Sequence, residues 1–356
     1  MRHPVTFRVS ASFAFRMERC CINENKIDYG KCRSRMRNQI RCPGNSQKYQ
    51  YNSSMNNAYD LIGDIHGHAD RLTAMLETLG YENNNGIYAH PSRKVVFMGD
   101  FIDRGPKIRE TLEIVRPMID NGHALAVMGN HEFNAIAYTI PKPDGGFLRD
   151  HRPERVRQHE ETLRAFAGDE KAWKGYLEWF RGLPLFLDAG NIRIVHACWD
   201  EDNIKFLKEQ YDGKLNDRLL NDSHDKGKPE YKVIDEVLKG RELHLPEGVT
   251  FHDKDGHPRR KARIRWWNSP MGMHYTDYLM GPGPGLEIDI ATSEDTGYPA
   301  AAPPVFFGHY WLPDSNPSLM APNAACLDYS VAKGGFLCAY RWDGEQTLSK
   351  DRFVKA

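Results

Sequence analysis

Gly99-Asp100-Phe101-Ile102-Asp103-Arg104-Gly105 comes straight after the apolar run 94–98. Two shorter stretches are built the same way: Gly63-Asp64-Ile65-His66-Gly67 after 59–62, and Gly129-Asn130-His131-Glu132 after 125–128. Each sets carboxylate, amide or imidazole groups beside a glycine, which lets the backbone turn tightly and approach a bound group closely. Two later apolar runs, 192–195 and 305–307, end in His196 and in Gly308-His309. Five strand-like runs that each deliver such a group at the C-terminal end predict one shared site, because ligands of α/β sheets bind outside the carboxyl ends of strands. Asp64, His66, Asp100, Asn130, His196 and His309 are enough donors for two divalent cations. A lone Asp-x-His or Gly-Asn-His-Glu is more often an ordinary turn. Three such motifs in order, roughly thirty residues apart and each after a strand, are not.

Between the motifs the periodicity is helical. Leu72, Met75, Leu76 and Leu79, at i, i+3, i+4 and i+7, predict a helix over 68–79 with Gly80 just past its end. A turn follows at 83–86, and a second helix over 108–121 with Pro117 as a kink. Residues 133–181 read mainly as helix, with Trp173, Tyr176, Leu177 and Phe180 as a core-packing stripe. Runs 185–187 and 192–195 predict a hairpin, as do 325–330 and 335–342 around Gly334-Gly335. Strands alternating with helices place the chain in the α/β class.

Residues 200–303 change character. They are polar and hold Gly281-Pro282-Gly283-Pro284-Gly285 and the basic run Arg259-Arg260-Lys261-Ala262-Arg263-Ile264-Arg265. This segment reads as an insertion over the sheet edge, where substrate selection usually sits.

The formal net charge is zero over 356 residues. Residues 1–54 hold 11 Lys/Arg against 3 Asp/Glu, so the remainder carries a net −8. An acidic body argues against nonspecific polyanion binding, and hence against a nucleic-acid partner. No apolar run approaches the roughly 18 residues that span a bilayer, so a membrane role is not expected. Four of the seven cysteines, Cys20, Cys21, Cys32 and Cys42, lie in the basic extension without zinc-site spacing; Cys198, Cys326 and Cys338 belong to the body. Low, odd cysteine usage there suits a reducing, cytoplasmic compartment. The division expected is an unstructured extension over 1–54, ahead of Met55, and one domain over 55–356 carrying the insertion.

Carboxylate, amide and imidazole donors suit Mn, Fe, Zn or Mg. Two such ions share a bridging ligand and bring the pKa of water toward roughly 7. Asp100, on the middle strand of the series, is the natural bridge. His131 is the candidate donor of a proton to the leaving oxygen, with Asp103 accepting its other N–H. Arg104 offers a planar fork to phosphate oxygens. Glu132 is read as a local hydrogen-bonding group only.

Taken together, the three motifs resemble the signature of the calcineurin-like metallophosphoesterases. More narrowly they resemble the phosphoprotein-phosphatase branch, which includes bacterial serine/threonine phosphatases and symmetrical diadenosine tetraphosphatases. The resemblance covers 58–200 and, less closely, 304–342. It implies a four-layer α/β/β/α sandwich with a dinuclear metal centre at the strand C-terminal ends, Mn foremost. It also implies Asp64, His66 and Asp100 on one ion and Asp100, Asn130, His196 and His309 on the other. His131 with Asp103 would be the acid pair, and Arg104 and Asn130 would contact phosphate. Two departures stand out. His196 is followed by Ala197-Cys198-Trp199 where protein phosphatases carry two glycines. The family's second phosphate-binding arginine has no clear match, and Arg265, ahead of Trp266-Trp267-Asn268, is the candidate. The expected activity is hydrolysis of phosphate monoesters on a phosphoprotein or small molecule, with a phosphoprotein or nucleotide as the phosphorylated partner. Symmetrical cleavage of a dinucleoside tetraphosphate is the alternative reading, and a metal-binding interaction module without turnover is a reading of another class.

Overall fold

The computed structural model describes residues 58–252, 258–280, 289–290 and 295–356. The basic extension with its four cysteines, Met55, and the Gly281–Gly285 stretch lie outside the described residues.

The elements run in the following order. First come β1 (Tyr59–Ile62), α1 (Ala69–Thr78), β2 (Glu82–Asn84), β3 (Ile87–Ala89) and β4 (Lys94–Phe97). Then come α2 (Ile108–Asp120), β5 (Ala124–Ala126), α3 (Asn130–Thr139), α4 (Pro153–Ala165) and α5 (Glu170–Arg181). β6 (Phe186–Asp188) and β7 (Arg193–Val195) lead into α6 (Glu201–Tyr211), α7 (Asp217–Asp222) and α8 (Pro229–Lys239). β8 (Glu242–His244), β9 (Phe251–His252), β10 (Pro258–Arg259), β11 (Lys261–Arg263) and α9 (Tyr275–Tyr278) follow. The chain closes with β12 (Val305–Phe307), β13 (Ala324–Cys326), β14 (Asp328–Tyr329), β15 (Phe336–Trp342) and β16 (Phe353–Lys355).

Two sheets carry the architecture. One has the order β14-β15-β1-β4-β5 with β16 added to β15; the other has the order β13-β12-β7-β6. β1, β4 and β5 are mutually parallel, as are β7, β12 and β13. Their carboxyl ends therefore point to common edges, as the motif series requires. The sheets face each other across one apolar core: Phe306 of β12 meets Tyr340 of β15 at 5.0 Å between ring centroids. α1 and α2 pack on the first sheet with Leu72, Met75, Leu76, Leu112 and Val115 fully buried. This is the layered α/β class.

α1 starts and stops within one residue of the periodicity. α2 runs through Pro117 to Asp120. The stripe on α5 buries Leu177 and Phe180 against the core, with Trp173 and Tyr176 half-buried beside them. The tail differs from the sequence reading. Run 325–330 is not one strand: Ala324–Cys326 pairs in parallel with β12, while Asp328–Tyr329 pairs antiparallel with β15. Leu327 is where the chain passes from one sheet to the other, and its N–H still reaches Phe307 O at 2.7 Å. Alternation alone cannot show such a switch, because both halves are buried strands.

Within 200–303, α6 and α8 bury Ile204, Leu207, Val233 and Val237 in the common core. The Ala197 N–H donates to Val237 O at 3.1 Å, so α8 is tied to the end of β7. β11 and the two residues after it alternate as a half-buried strand does: Ala262 and Ile264 are buried, whereas Lys261 and Arg265 are exposed and Arg263 is half-buried.

Candidate metal centre and active site

The loops after β1, β4, β5, β7 and β12 converge. Asp64, His66, Asp100, Asn130, His196 and His309 are all buried there, together with Asp103 and His131. Left-handed backbone at His66, Asp100, Asp103, Arg104 and His309 marks how tightly these loops turn. Non-glycine residues rarely adopt it, and such outliers cluster at ligand sites. Glu132, given only a local role from sequence, braces the arrangement. Its fully buried carboxylate accepts from the N–H groups of Gly129 at 3.0 Å, Asp100 at 2.9 Å and Phe101 at 2.8 Å. It thus ties the end of β4 to the start of α3. The Asp100 Oδ1 in turn accepts the His131 N–H at 2.9 Å.

The donors are presented as a cation would need them. His66 Nδ1 donates to Ile102 O at 3.0 Å and His196 Nδ1 to Met98 O at 2.7 Å. Those bonds leave each Nε2 as a lone pair, the arrangement that outer hydrogen bonds impose on metal-binding imidazoles. His196 Nε2 then faces two further acceptors, Asn130 Oδ1 at 3.1 Å and Asp100 Oδ2 at 3.5 Å. His66 Nε2 is also 3.5 Å from Asp100 Oδ2. Asp64 Oδ1, His66 Nε2 and His309 Nε2 are buried without a hydrogen-bond partner. Buried polar atoms are nearly always paired, so lone pairs converging without donors fit divalent cations. Two three-residue groups have ligand atoms within 4.8 Å of one another: His66, Asp100 and His131, and Asp100, His196 and His309. Asp100 belongs to both. Asp64 belongs to neither, although its Oδ2 accepts the His309 N–H at 3.0 Å and so ties the two sheets' loops together. Gly308 is required for that approach, because a Cβ there would sit 1.9 Å from Asp64 Oδ1.

Charge is unevenly met. Burial, with the Asp328 and Asp100 carboxylates nearby, pushes the Asp64 carboxyl well up. Burial would do the same to Asp100, but His196, His131 and His66 outweigh it and hold it well below the usual range. Burial lowers His66 to about 4 and holds His309 well below its ordinary value, where Arg263 adds to the effect. Burial would lower His131 as well, but Asp100 and Asp103 outweigh it and raise it. Asp100 is thus held ionised while His66 and His309 are held neutral, the forms in which such groups bind divalent ions.

His131 Nδ1 donates to Asp103 Oδ2 at 2.5 Å, and its Nε2 lies 3.9 Å from Asp100 Oδ2. The Arg104 guanidinium is exposed at the rim, 5.3 Å from the Trp311 ring centroid, with Lys333 Nζ 3.8 Å from the same centroid. Arg265 is not brought to the site: it is exposed, with Nε on Leu279 O at 3.3 Å. Arg263, two residues earlier on the same side of the strand, is half-buried where Arg265 is exposed, and is close enough for its charge to act on His309 and Tyr310. Strand alternation gives the two the same phase, so the basic run alone could not have distinguished them.

Sequence reasoning also missed Asp328. It is buried at the crossover and accepts from Trp311 N at 2.8 Å and Ser330 N at 3.0 Å, which fixes the loop that follows His309.

The profile of the calcineurin-like phosphoesterases matches residues 59–284. A Bacillus subtilis (strain 168) protein called bis(5'-nucleosyl)-tetraphosphatase PrpE [asymmetrical] is 31% identical over 182 residues, covering 48% of this chain and 70% of that one. The Halalkalibacterium halodurans protein of the same name is 43% identical over 155 residues, covering 41% of this chain and 59% of its own length. Among solved structures, a Saccharomyces cerevisiae serine/threonine phosphatase gives a TM-score of 0.45 at 11% identity, with 86% of this chain and 80% of that one covered. This chain is a hydrolase of phosphate ester bonds and belongs to the calcineurin-like phosphoesterase family.

Proposed function

We propose that the chain hydrolyses nucleoside polyphosphates at a dinuclear manganese centre in the cytoplasm. The observation that carries the metal assignment is the set of buried, partnerless acceptors Asp64 Oδ1, His66 Nε2 and His309 Nε2 around Asp100. Asp64, His66 and Asp100 would hold one ion, and Asp100, Asn130, His196 and His309 the other. Bound ions would supply Lewis-acid polarisation of the phosphoryl group and ionise water near neutral pH.

The chain's own residues do the rest. Arg104, exposed at the rim, grips non-bridging phosphoryl oxygens, and Asn130, whose Oδ1 lies against His196 and His309, is the second phosphate contact. His131 Nε2 gives its proton to the leaving oxygen while Asp103 holds the opposite nitrogen. Arg263 supplies positive charge from the His309 side. The substrate class is supported by the name shared by the Bacillus and Halalkalibacterium relatives. It is also supported by Trp311, an aromatic surface at the rim with Arg104 beside it, which suits a flat base next to phosphates.

A second reading, phosphomonoester hydrolysis on a phosphoprotein or small molecule, is favoured by the His131–Asp103 pair. A general acid helps most when the leaving oxygen is a poor leaving group, as an alkoxide is and a nucleotide phosphate is not.

The test is turnover by the manganese-loaded protein on diadenosine tetraphosphate, a phosphoserine peptide and an aryl phosphate, with products identified. ATP plus AMP, or two ADP, as the preferred products supports the first reading and gives the position of cleavage. Hydrolysis of the peptide alone overturns it in favour of the second. Metal binding without turnover on any of the three would make the chain a binding module.

A further inference from the structure

His159 was passed over in the sequence because no motif surrounds it. It lies on α4, three residues before Thr162, so both side chains leave the same helical face. That face meets Asp103. His159 Nδ1 donates to Asp103 Oδ1 at 2.7 Å, and the Thr162 hydroxyl donates to the same oxygen at 2.5 Å. The Thr162 oxygen also accepts the Asp103 N–H at 3.0 Å. The other carboxylate oxygen, Oδ2, is left to His131. One carboxylate is therefore shared by two imidazoles, and both its oxygens are spoken for. His159 and Thr162 are 4% and 0% exposed.

The backbone makes this clamp necessary. Asp103 and Arg104 both have positive φ, 69° and 72°. Residues with side chains hold that conformation only where their surroundings impose it. Without the contacts from α4, the Asp103 carboxylate would be free to rotate, and with it the imidazole it orients.

We propose that His159 is a positioning residue for the reaction: by holding Asp103 Oδ1 it fixes the angle of Oδ2 and so keeps the His131 imidazole aligned to protonate the leaving oxygen. The inference rests on the reading of His131 as the acid. The polar contact of His159 is to Asp103 and not to the candidate metal donors. The His159 Nε2 is buried without a hydrogen-bond partner, and the residue lines a small polar pocket together with Asp103, His131, Asn134, Arg149 and Gln158.

The test compares His159→Leu with His159→Asn in the manganese-loaded protein. Asn keeps an N–H near the position of Nδ1, whereas Leu removes it. Kinetics are read on two phosphate esters that differ only in leaving-group acidity, with metal content and melting temperature measured alongside. His159→Leu is expected to lower kcat about 10- to 100-fold on the poorer leaving group and far less on the better one, with KM within about twofold and metal content full. His159→Asn is expected to recover most of the loss. In a His131→Ala background, His159→Leu should add little, because residues acting through one group are non-additive. An equal loss for both leaving groups, or a full additional loss in the His131→Ala background, overturns the inference. If His159→Leu is unfolded, His159→Asn and the Thr162→Ser and Thr162→Val pair decide it on the same leaving-group criterion. If His131→Ala itself shows no leaving-group dependence, the acid reading fails first and the positioning role with it. If it does and His159→Leu does not, only the positioning role fails.

Discussion

At the scale of the residue, one carboxylate organises the site. Asp100 Oδ2 faces His66 and His196 at 3.5 Å each and His131 at 3.9 Å. Asp100→Asn replaces that charge with an amide that cannot balance two cations. We expect metal content after desalting to fall for both ions together and turnover to be nearly lost; a variant retaining two ions and near-normal turnover would refute the bridging role. The arginines give a second test. Arg263 is half-buried and its charge bears on His309, while Arg265 is exposed with Nε on Leu279 O. Arg263→Ala should lower kcat/KM about tenfold, whereas Arg265→Ala should change it less than twofold, with full metal content in both. The reverse ranking in steady-state kinetics would restore the sequence assignment. These residues also show what could be read in advance. Asp64, Asp100 and Asn130 stand out because each is next to a glycine at a strand end. Arg263 and His159 do not, because their roles depend on which side of a distant strand or helix faces the loops.

At the scale of the element, the site exists because two sheets bring their carboxyl ends close. One close approach is the Gly308 segment after β12 against Asp64 after β1. Gly308 has no unusual φ, so its requirement is purely one of space. Gly308→Ala would drive a methyl group into the Asp64 carboxylate, and overpacking of this kind typically costs about 1–3 kcal/mol. We expect a folded protein with a lowered melting temperature and weakened metal binding, read by denaturation and by metal titration; unchanged metal affinity would mean Asp64 is not a ligand. The strand ends were legible because each strand's apolar run and its polar exit are adjacent in sequence. The passage of the chain between sheets at Leu327 was not, since nothing local distinguishes a strand paired to β12 from one paired to β15. Glu132 is a similar case. Its three N–H partners lie in two separate loops, and only folding brings them together.

At the scale of the whole molecule, the two ends of the parallel strands do different work. The amino-terminal end is closed by Asp60, fully buried on β1. It accepts from Arg93 Nε at 3.0 Å and Tyr81 OH at 3.0 Å, and pairs with Arg341 Nε at 3.2 Å. The network joins β1 to β15 and to the segment entering β4, far from the donors. Removing one partner of a buried ion pair strands the others, at about 3–5 kcal/mol. Asp60→Ala should therefore unfold at markedly lower denaturant while folded protein keeps its kcat; a loss of kcat without loss of stability would contradict this division of labour. The carboxyl-terminal end behaves in the opposite way. Asp64, Asp100, Asp103, Glu132 and Asp328 are five buried acids within one small region, and only part of that charge is met by imidazoles. The fold there is stabilised by whatever cation binds the native state and not the unfolded one. Manganese at one hundred times its dissociation constant would add about 2.7 kcal/mol. A chelator should lower the melting temperature reversibly, and manganese should restore it in a concentration-dependent way. The Asp100→Asn variant should show neither shift. If chelation leaves the melting temperature unchanged in the unmodified chain, the buried acids are balanced within the protein itself, and the reading of this region as a dinuclear centre is wrong.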